Sequence, residues 1–249
     1  KVLANGNLKF LLHSSDIFGN GNSYRLTDSL SSIVPSHFTI SKVYETDVDT
    51  VTKNQYIDSV NSGPGYVFSC AHGDFGNLYI NQTPLVSFGI ADVLHLQSSV
   101  PSFWGILSCD IGGFDKDALG EHLLFSPSCI GILSQTRDGI SSTITFYERF
   151  FEHLFADFSV SIGEADSVMR KAFSNYARNN LIYYYSILTY NLLGDPSLIP
   201  IKCNYVDYQI TNISIFEDTG LVIRLRPLGS VSGRVNKRFV VYKRNEILQ

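Results

Sequence analysis

No stretch of this sequence approaches the roughly 18 to 20 uninterrupted apolar residues that a membrane-crossing helix requires, so no transmembrane segment is expected in it. The opening Lys1-Val2-Leu3-Ala4 lacks the apolar core of a secretory leader. The missing initiator Met gives the expectation of a fragment, so the lack of a leader here says little about the parent protein. Cysteine is scarce: Cys70, Cys109, Cys129 and Cys203 form no CxxC pair and are too few to staple a chain of 249 residues, so at least one is expected to be free. Basic residues are not in excess either. The formal net charge is −4 and the Lys and Arg are scattered, apart from Arg234, Lys237, Arg238, Lys243 and Arg244 near the end, which argues against a nucleic-acid partner. No internal repeat or low-complexity segment occurs. Two sequons, Asn81-Gln82-Thr83 and Asn212-Ile213-Ser214, matter only in a glycosylating host, and Pro84 weakens the first.

What is present is apolar material, 44% of residues against 17% charged, enough for one sizeable core or a core with a small satellite. Short apolar runs at residues 8–12, 38–43, 66–69, 103–107 and 130–133 read as buried strands. Helical patterns at 24–33, 52–60, 85–94 and 118–124 alternate with them. The expected architecture is therefore α/β with a mainly parallel sheet, whose carboxyl edge is where a site should form. From Thr145 the pattern becomes long helices, with Phe146, Phe150, Phe151, Leu154 and Phe155 and then Val168, Met169, Ala172 and Phe173 at helical spacing, the aromatics among them reading as core. Gly194 and Pro196 are expected to end regular structure after the Tyr183-Tyr184-Tyr185 run. Alternating segments at 208–214, 221–226 and 238–242 suggest a short C-terminal β segment resembling part of an immunoglobulin-like sandwich. The expected division is 1–200 for the α/β domain and 201–249 for the β segment.

Two strands end in reactive residues. One runs Phe68-Ser69-Cys70-Ala71-His72-Gly73, and the other runs Leu107-Ser108-Cys109-Asp110 into the glycine-rich loop Gly112-Gly113. Neighbouring strands lie about 4.8 Å apart, so a His and a Cys at matching ends can act together. A thiol with a free pKa of about 8.5 is mostly protonated at neutral pH, and an adjacent imidazole can take that proton and later return it to a leaving amine. Gly73 would let the backbone approach a substrate, and its N–H together with that of Cys109 could hold the developing oxyanion. Cys109 read alone is equally a core cysteine. Cys70 and Cys129 read as core, and His95, His122 and His153 as helix positions. Cys70 and His72 lack the second ligand pair that zinc would need.

These segments together resemble the gingipain family of cysteine peptidases, which have the caspase-like fold. The resemblance rests on Cys70-Ala71-His72-Gly73, on Ser108-Cys109 followed by Gly112-Gly113-Phe114-Asp115, and on Ala118-Leu119-Gly120-Glu121. Cys129-Ile130-Gly131-Ile132-Leu133-Ser134 and the closing Tyr190-Asn191-Leu192-Leu193-Gly194-Asp195-Pro196-Ser197-Leu198 complete it. The family's Gly-His-Gly becomes Ala71-His72-Gly73 here. The resemblance implies a cysteine endopeptidase with peptide or protein substrates, in a secreted or cell-surface setting, needing no cofactor for its chemistry. Structural calcium occurs in the family, with no ligands mapped onto this sequence. It also implies that Asp16 orients His72, the alternative being a loop or N-cap carboxylate, and that Ser134, Gln135 and Thr136 line the substrate pocket by their backbone, as in the addition of an extended peptide to a sheet edge. Asp28 falls near the acidic position that would select Arg or Lys before the scissile bond; a surface helix carboxylate is the other reading. Arg137 could favour a different substrate. A sortase-like transpeptidase uses the same residues, and an inactive member serving as a binding or assembly module is a third reading, against which the intact His and Cys argue.

Overall fold

The computed structural model describes residues 8–98, 100–157 and 159–200, together with the backbone of 208–216 and 220–227. The chain divides into compact units with the break between Asn204 and Tyr205. In the larger unit six strands form one sheet in the order β2-β1-β3-β7-β8-β9. These are β1 (Lys9–Ser14), β2 (Thr39–Tyr44), β3 (Tyr66–Cys70), β7 (Ser102–Leu107), β8 (Cys129–Gln135) and β9 (Tyr190–Gly194). All neighbours run parallel except β9, which runs antiparallel to β8. A separate antiparallel sheet, β4 (His72–Gly73), β5 (Asn77–Asn81) and β6 (Val86–Gly89), grows out of the end of β3.

The central strands are apolar without interruption because both faces of the sheet are covered. Phe10, Leu12, Tyr66, Phe68 and Phe103 pack against α4 (Ile144–Ala156) and α5 (Ile162–Ala177) through Phe146, Phe150, Phe151, Leu154, Met169 and Phe173. Leu11, Val67, Trp104, Ile106 and Ile132 face Tyr56 and Val60 of α2 (Lys53–Asn61), Leu119 and Leu123 of α3 (Leu119–Phe125), and Leu78, Ile80 and Phe88 of the small sheet. Burying one such side chain is worth about 1.5–3 kcal/mol. Polar signals start the helices. Thr52 accepts the Gln55 N–H at the start of α2, and Ser161 with Glu164 forms a capping box on α5.

Several elements differ from the sequence expectation. Residues 85–94 do not form an α-helix: β6 occupies their first half and a 3-10 segment, Ile90–His95, the second. Val86 and Phe88 alternate with polar neighbours, and pairing with β5 outweighs the helical spacing. The expected helix at 24–33 shortens to α1 (Tyr24–Asp28) plus the 3-10 turn Ser29–Ser32. Residues 190–194 add β9 to the sheet edge after α6 (Leu181–Thr189), a strand the sequence reading did not include, and regular structure then stops at Gly194 ahead of Pro196 as expected. Val168 is exposed, whereas Met169 and Phe173 are buried. Asn81, of the first sequon, is fully buried, accepting the Val51 N–H at 2.6 Å and donating to the Pro84 carbonyl at 2.7 Å. In the second unit β10 (Tyr208–Phe216) and β11 (Gly220–Pro227) form an antiparallel pair. The expected strand at 238–242, the terminal basic residues and Cys203 lie outside the described residues.

Candidate active site

Parallel pairing of β3 with β7 sets Cys70 opposite Leu107, and the Ala71 N–H continues the ladder by donating to the Leu107 carbonyl at 3.1 Å. Two residues beyond that pair on each chain stand His72 and Cys109. Both line one cleft of about 140 Å³, with Ile17, Phe18, Ser108 and Gly139 among its other walls. The sheet register therefore brings together the two reactive residues singled out in the sequence.

Cys109 is half-buried, and its sulfur accepts the Gly139 N–H at 3.3 Å. Burial pushes the thiol pKa up; the Gly139 bond opposes this, while the charges of Asp138 and Asp110 reinforce it. The resting sulfur is thus held as a thiol that needs a base. Burial likewise takes Cys70 and Cys129 up to about 12, and no exposed edge offsets it. All three are free cysteines. The chain turns sharply after the sulfur, since Asp110 has φ +60° and its carbonyl accepts the Gly113 N–H at 2.9 Å. A non-glycine residue in this left-handed conformation costs of order 1–3 kcal/mol and persists only where its surroundings enforce it.

The enforcing groups come from the end of β8. Gln135, nearly fully buried, accepts the Ser108 N–H with its side-chain oxygen at 3.2 Å and the Gly112 N–H with its carbonyl at 2.8 Å. The Arg137 carbonyl accepts the Asp110 N–H at 3.1 Å. Ser134 donates to Ile106 at 3.1 Å, and the Thr136 N–H donates to Thr189 at 2.8 Å. None of Ser134, Gln135 and Thr136 contributes to the wall of the cleft; they build the ledge under the Cys109 loop. Arg137 is tied to Asp115 by two bonds of 3.0 and 3.1 Å.

His72 is exposed, and its Nε2 lies 3.2 Å from the Ile17 carbonyl. A carbonyl only accepts, so Nε2 is the donor in this contact. Asp16 does not make this contact. Its carboxylate accepts the Ser23 hydroxyl at 2.6 Å and the Gly21 N–H at 2.8 Å. Burial acts to raise its pKa, but these bonds outweigh it and hold the carboxyl below the usual range. The orienting contact expected of Asp16 is made by its neighbour's backbone, and Asp16 itself shapes the loop. Asp28 is paired with Lys42 of β2 at 2.5 Å and also accepts from Tyr44 and Ser31, away from the cleft wall.

Gly73 follows His72 in β4, opposite Leu78. A Cβ there would lie 2.3 Å from Ser108 Oγ, so the two strand ends touch only because this residue has no side chain. The Cys109 N–H makes no hydrogen bond to the protein among the described residues. Ser108 is buried, and its hydroxyl has no partner among the described residues. Gly139 and Ile17 are not among the residues the sequence marks; the run Asp138-Gly139 just past a strand end is the available signal for the first. No group of three or more His, Cys, Asp or Glu among the described residues converges to hold a metal ion. No helix among them is long and apolar enough to cross a membrane.

The model of peptidase family C25 matches residues 3–200. The crystal structure of the Arg-specific cysteine proteinase gingipain R is similar with a TM-score of 0.66 at 17% identity, covering 87% of this chain and 54% of that one. A complex of the Porphyromonas gingivalis RgpB pro- and mature domains is similar with a TM-score of 0.64 at 16% identity, covering 87% and 55%. A further structure described as a protease gives 0.63 at 12% identity, covering 83% and 51%. This chain therefore spans about half the length of the chains it resembles. No curated protein matches it significantly.

Proposed function

Because the chain belongs to peptidase family C25, the gingipain family of cysteine peptidases, we propose that it cleaves peptide bonds with Cys109 as nucleophile and His72 as acid and base. The observation that carries this reading is the shared cleft in which both residues lie, each two positions past the Cys70–Leu107 register pair. His72 Nδ1 takes the proton from Sγ as sulfur attacks the peptide carbonyl carbon, and the carbonyl electron pair moves onto oxygen. Collapse of that intermediate expels the amine, which receives the proton from Nδ1 and leaves a thioester on Cys109. Water, deprotonated by the same nitrogen, then releases the acid and restores the thiol. The Cys109 N–H and the Gly73 N–H are the donors proposed for the oxyanion.

The residue before the scissile bond is proposed to be basic. The support is the negative charge that Asp138 and Asp110 exert at the Cys109 sulfur, since a cationic side chain would satisfy such carboxylates better than a neutral one. Asp28, occupied by Lys42, takes no part in this reading. A secreted or cell-surface setting is part of the same proposal, supported by the family membership.

The test is a panel of fluorogenic peptides varied at that residue, assayed with and without an added amine. Cleavage after Arg or Lys that is lost in Cys109→Ala and His72→Ala supports the reading. Turnover retained in Cys109→Ala refutes it, and a product joined to the added amine would favour the transpeptidase.

A further inference from the structure

Glu45 directly follows β2 and is a carboxylate almost wholly removed from solvent, with 3% of its surface exposed. Nothing in the chemistry above uses it. Its own N–H donates to the Ser14 carbonyl at 2.8 Å, which fixes it against the end of β1. The carboxylate accepts three backbone N–H groups. Oε2 takes Asp16 at 2.7 Å, both oxygens share Gln82 at 2.8 Å, and Oε1 takes Thr83 at 2.9 Å.

The three donors belong to two different pieces of the candidate site. Asp16 immediately precedes Ile17, whose carbonyl receives the His72 ring. Gln82 and Thr83 begin the turn that leaves β5, and Tyr79 of β5 is paired with His72 itself. A side-chain bond from Gln82 Nε2 to Ser15 Oγ, 3.2 Å, runs alongside. One buried anion thus ties the backbone that bears the imidazole to the loop that supplies its acceptor. Charge-assisted bonds of this kind are roughly twice as strong as neutral ones, and leaving their donors buried and unmet is expensive.

We propose that Glu45 is a positioning residue for His72: by clamping the 15–17 loop to the β5–β6 turn it keeps Ile17 under Nε2 and so leaves Nδ1 turned to Cys109. This rests on the reading of His72 and Cys109 as the working pair.

The experiment compares wild type, Glu45→Gln, Glu45→Asp and His72→Ala in peptide hydrolysis, in the rate of Cys109 alkylation by iodoacetamide, and in the nitrogen-15 shifts of the His72 ring. Circular dichroism first shows that each variant is folded at the assay temperature. Gln keeps the shape but turns an NH₂ toward N–H donors; it is expected to lower kcat roughly 10²-fold, the usual cost of a misplacement of about 1 Å, with KM within about twofold. The His72 ring shifts, ordered with Nε2–H and bare Nδ1 in the wild type, should move toward the average of the two tautomers. Should Glu45→Gln not fold, Glu45→Asp, one methylene short, is read in its place with a smaller loss of the same kind. A variant that loses thermal stability yet keeps wild-type kcat and ring shifts overturns the positioning role while His72→Ala remains inactive. Undiminished hydrolysis and alkylation in His72→Ala would instead overturn the underlying pair.

Discussion

His13 offers a quantitative test of the packing beneath the site. It lies in β1 with no exposed surface, donates from Nε2 to the Ile80 carbonyl at 3.0 Å, meets the Tyr56 ring edge-on at 4.8 Å, and has no partner for Nδ1. Burial lowers its pKa from 6.5 to about 4, the Ile80 bond opposing only in part. The folded protein keeps the ring neutral while the unfolded chain protonates it. The stability it confers is therefore complete above about pH 6.5 and is lost as the pH falls toward 4. At about 1.4 kcal/mol for each decade the full window is worth about 3 kcal/mol, and about 2 kcal/mol of it falls between pH 7 and 5. His13→Gln keeps an amide donor for Ile80 and removes the titration. Urea unfolding followed by the fluorescence of Trp104, the single tryptophan and fully buried, gives the stability of both proteins at the two pH values. The wild type should lose about 2 kcal/mol more than the variant on acidification, since groups titrating in both cancel. Parallel losses would refute the account of a buried neutral imidazole.

Iodoacetamide at neutral pH should label Cys109 ahead of Cys70 and Cys129, whose buried thiols are pushed up to about 12; mass spectrometry showing equal labelling in the folded protein counts against the site. Cys109→Ala should abolish peptide hydrolysis while moving the thermal midpoint little, because the sulfur is half-exposed and fills no core. Gly139→Ala places a Cβ 2.9 Å from the Ser108 carbonyl; kcat should fall by at least roughly 10-fold as the loop gives way, and unchanged kinetics would show that the loop relaxes freely. Asp28→Ala removes a half-exposed ion pair and should cost no more than about 1 kcal/mol in denaturant unfolding. It should leave the preference at the residue before the scissile bond unaltered, and an altered profile would return Asp28 to the pocket.

The central parallel strands are legible because they are buried on both faces, which writes short apolar runs into the sequence, and His72 and Cys109 are legible because each stands just past such a run. The small sheet was not. Leu85 and Phe88 stand at helical spacing while Val86 and Phe88 stand at strand spacing, and pairing with β5, with Leu78 and Ile80 packed beside them, makes the strand the better outcome. Asp16 shows a different limit. A carboxylate next to a strand end predicts proximity, but whether the side chain or the following carbonyl reaches the imidazole depends on where Ser23 and Gly21 lie. For Gln135 the resemblance implies backbone lining of the substrate pocket, and the sequence is silent on where its side chain goes. Its burial under Ser108, which makes it a ledge, comes from the bend at Asp110, and the sequence does not announce a positive φ at an aspartate.

The interior position of Asn81 bears on how the protein can be made. Oligosaccharide is transferred to the amide nitrogen of a sequon, and here that nitrogen is the one donating to Pro84 inside the fold. In a secretory pathway with glycosylating enzymes, transfer and closure of the β5–β6 turn would compete for the same atom. A glycan arriving first would put a sugar where no room exists and keep Asn81 from seating against Val51 and Pro84, so chains so modified would be retained as misfolded. Thr83→Ala erases the acceptor signal while preserving the backbone N–H that Glu45 needs, which makes it the substitution of choice for eukaryotic expression.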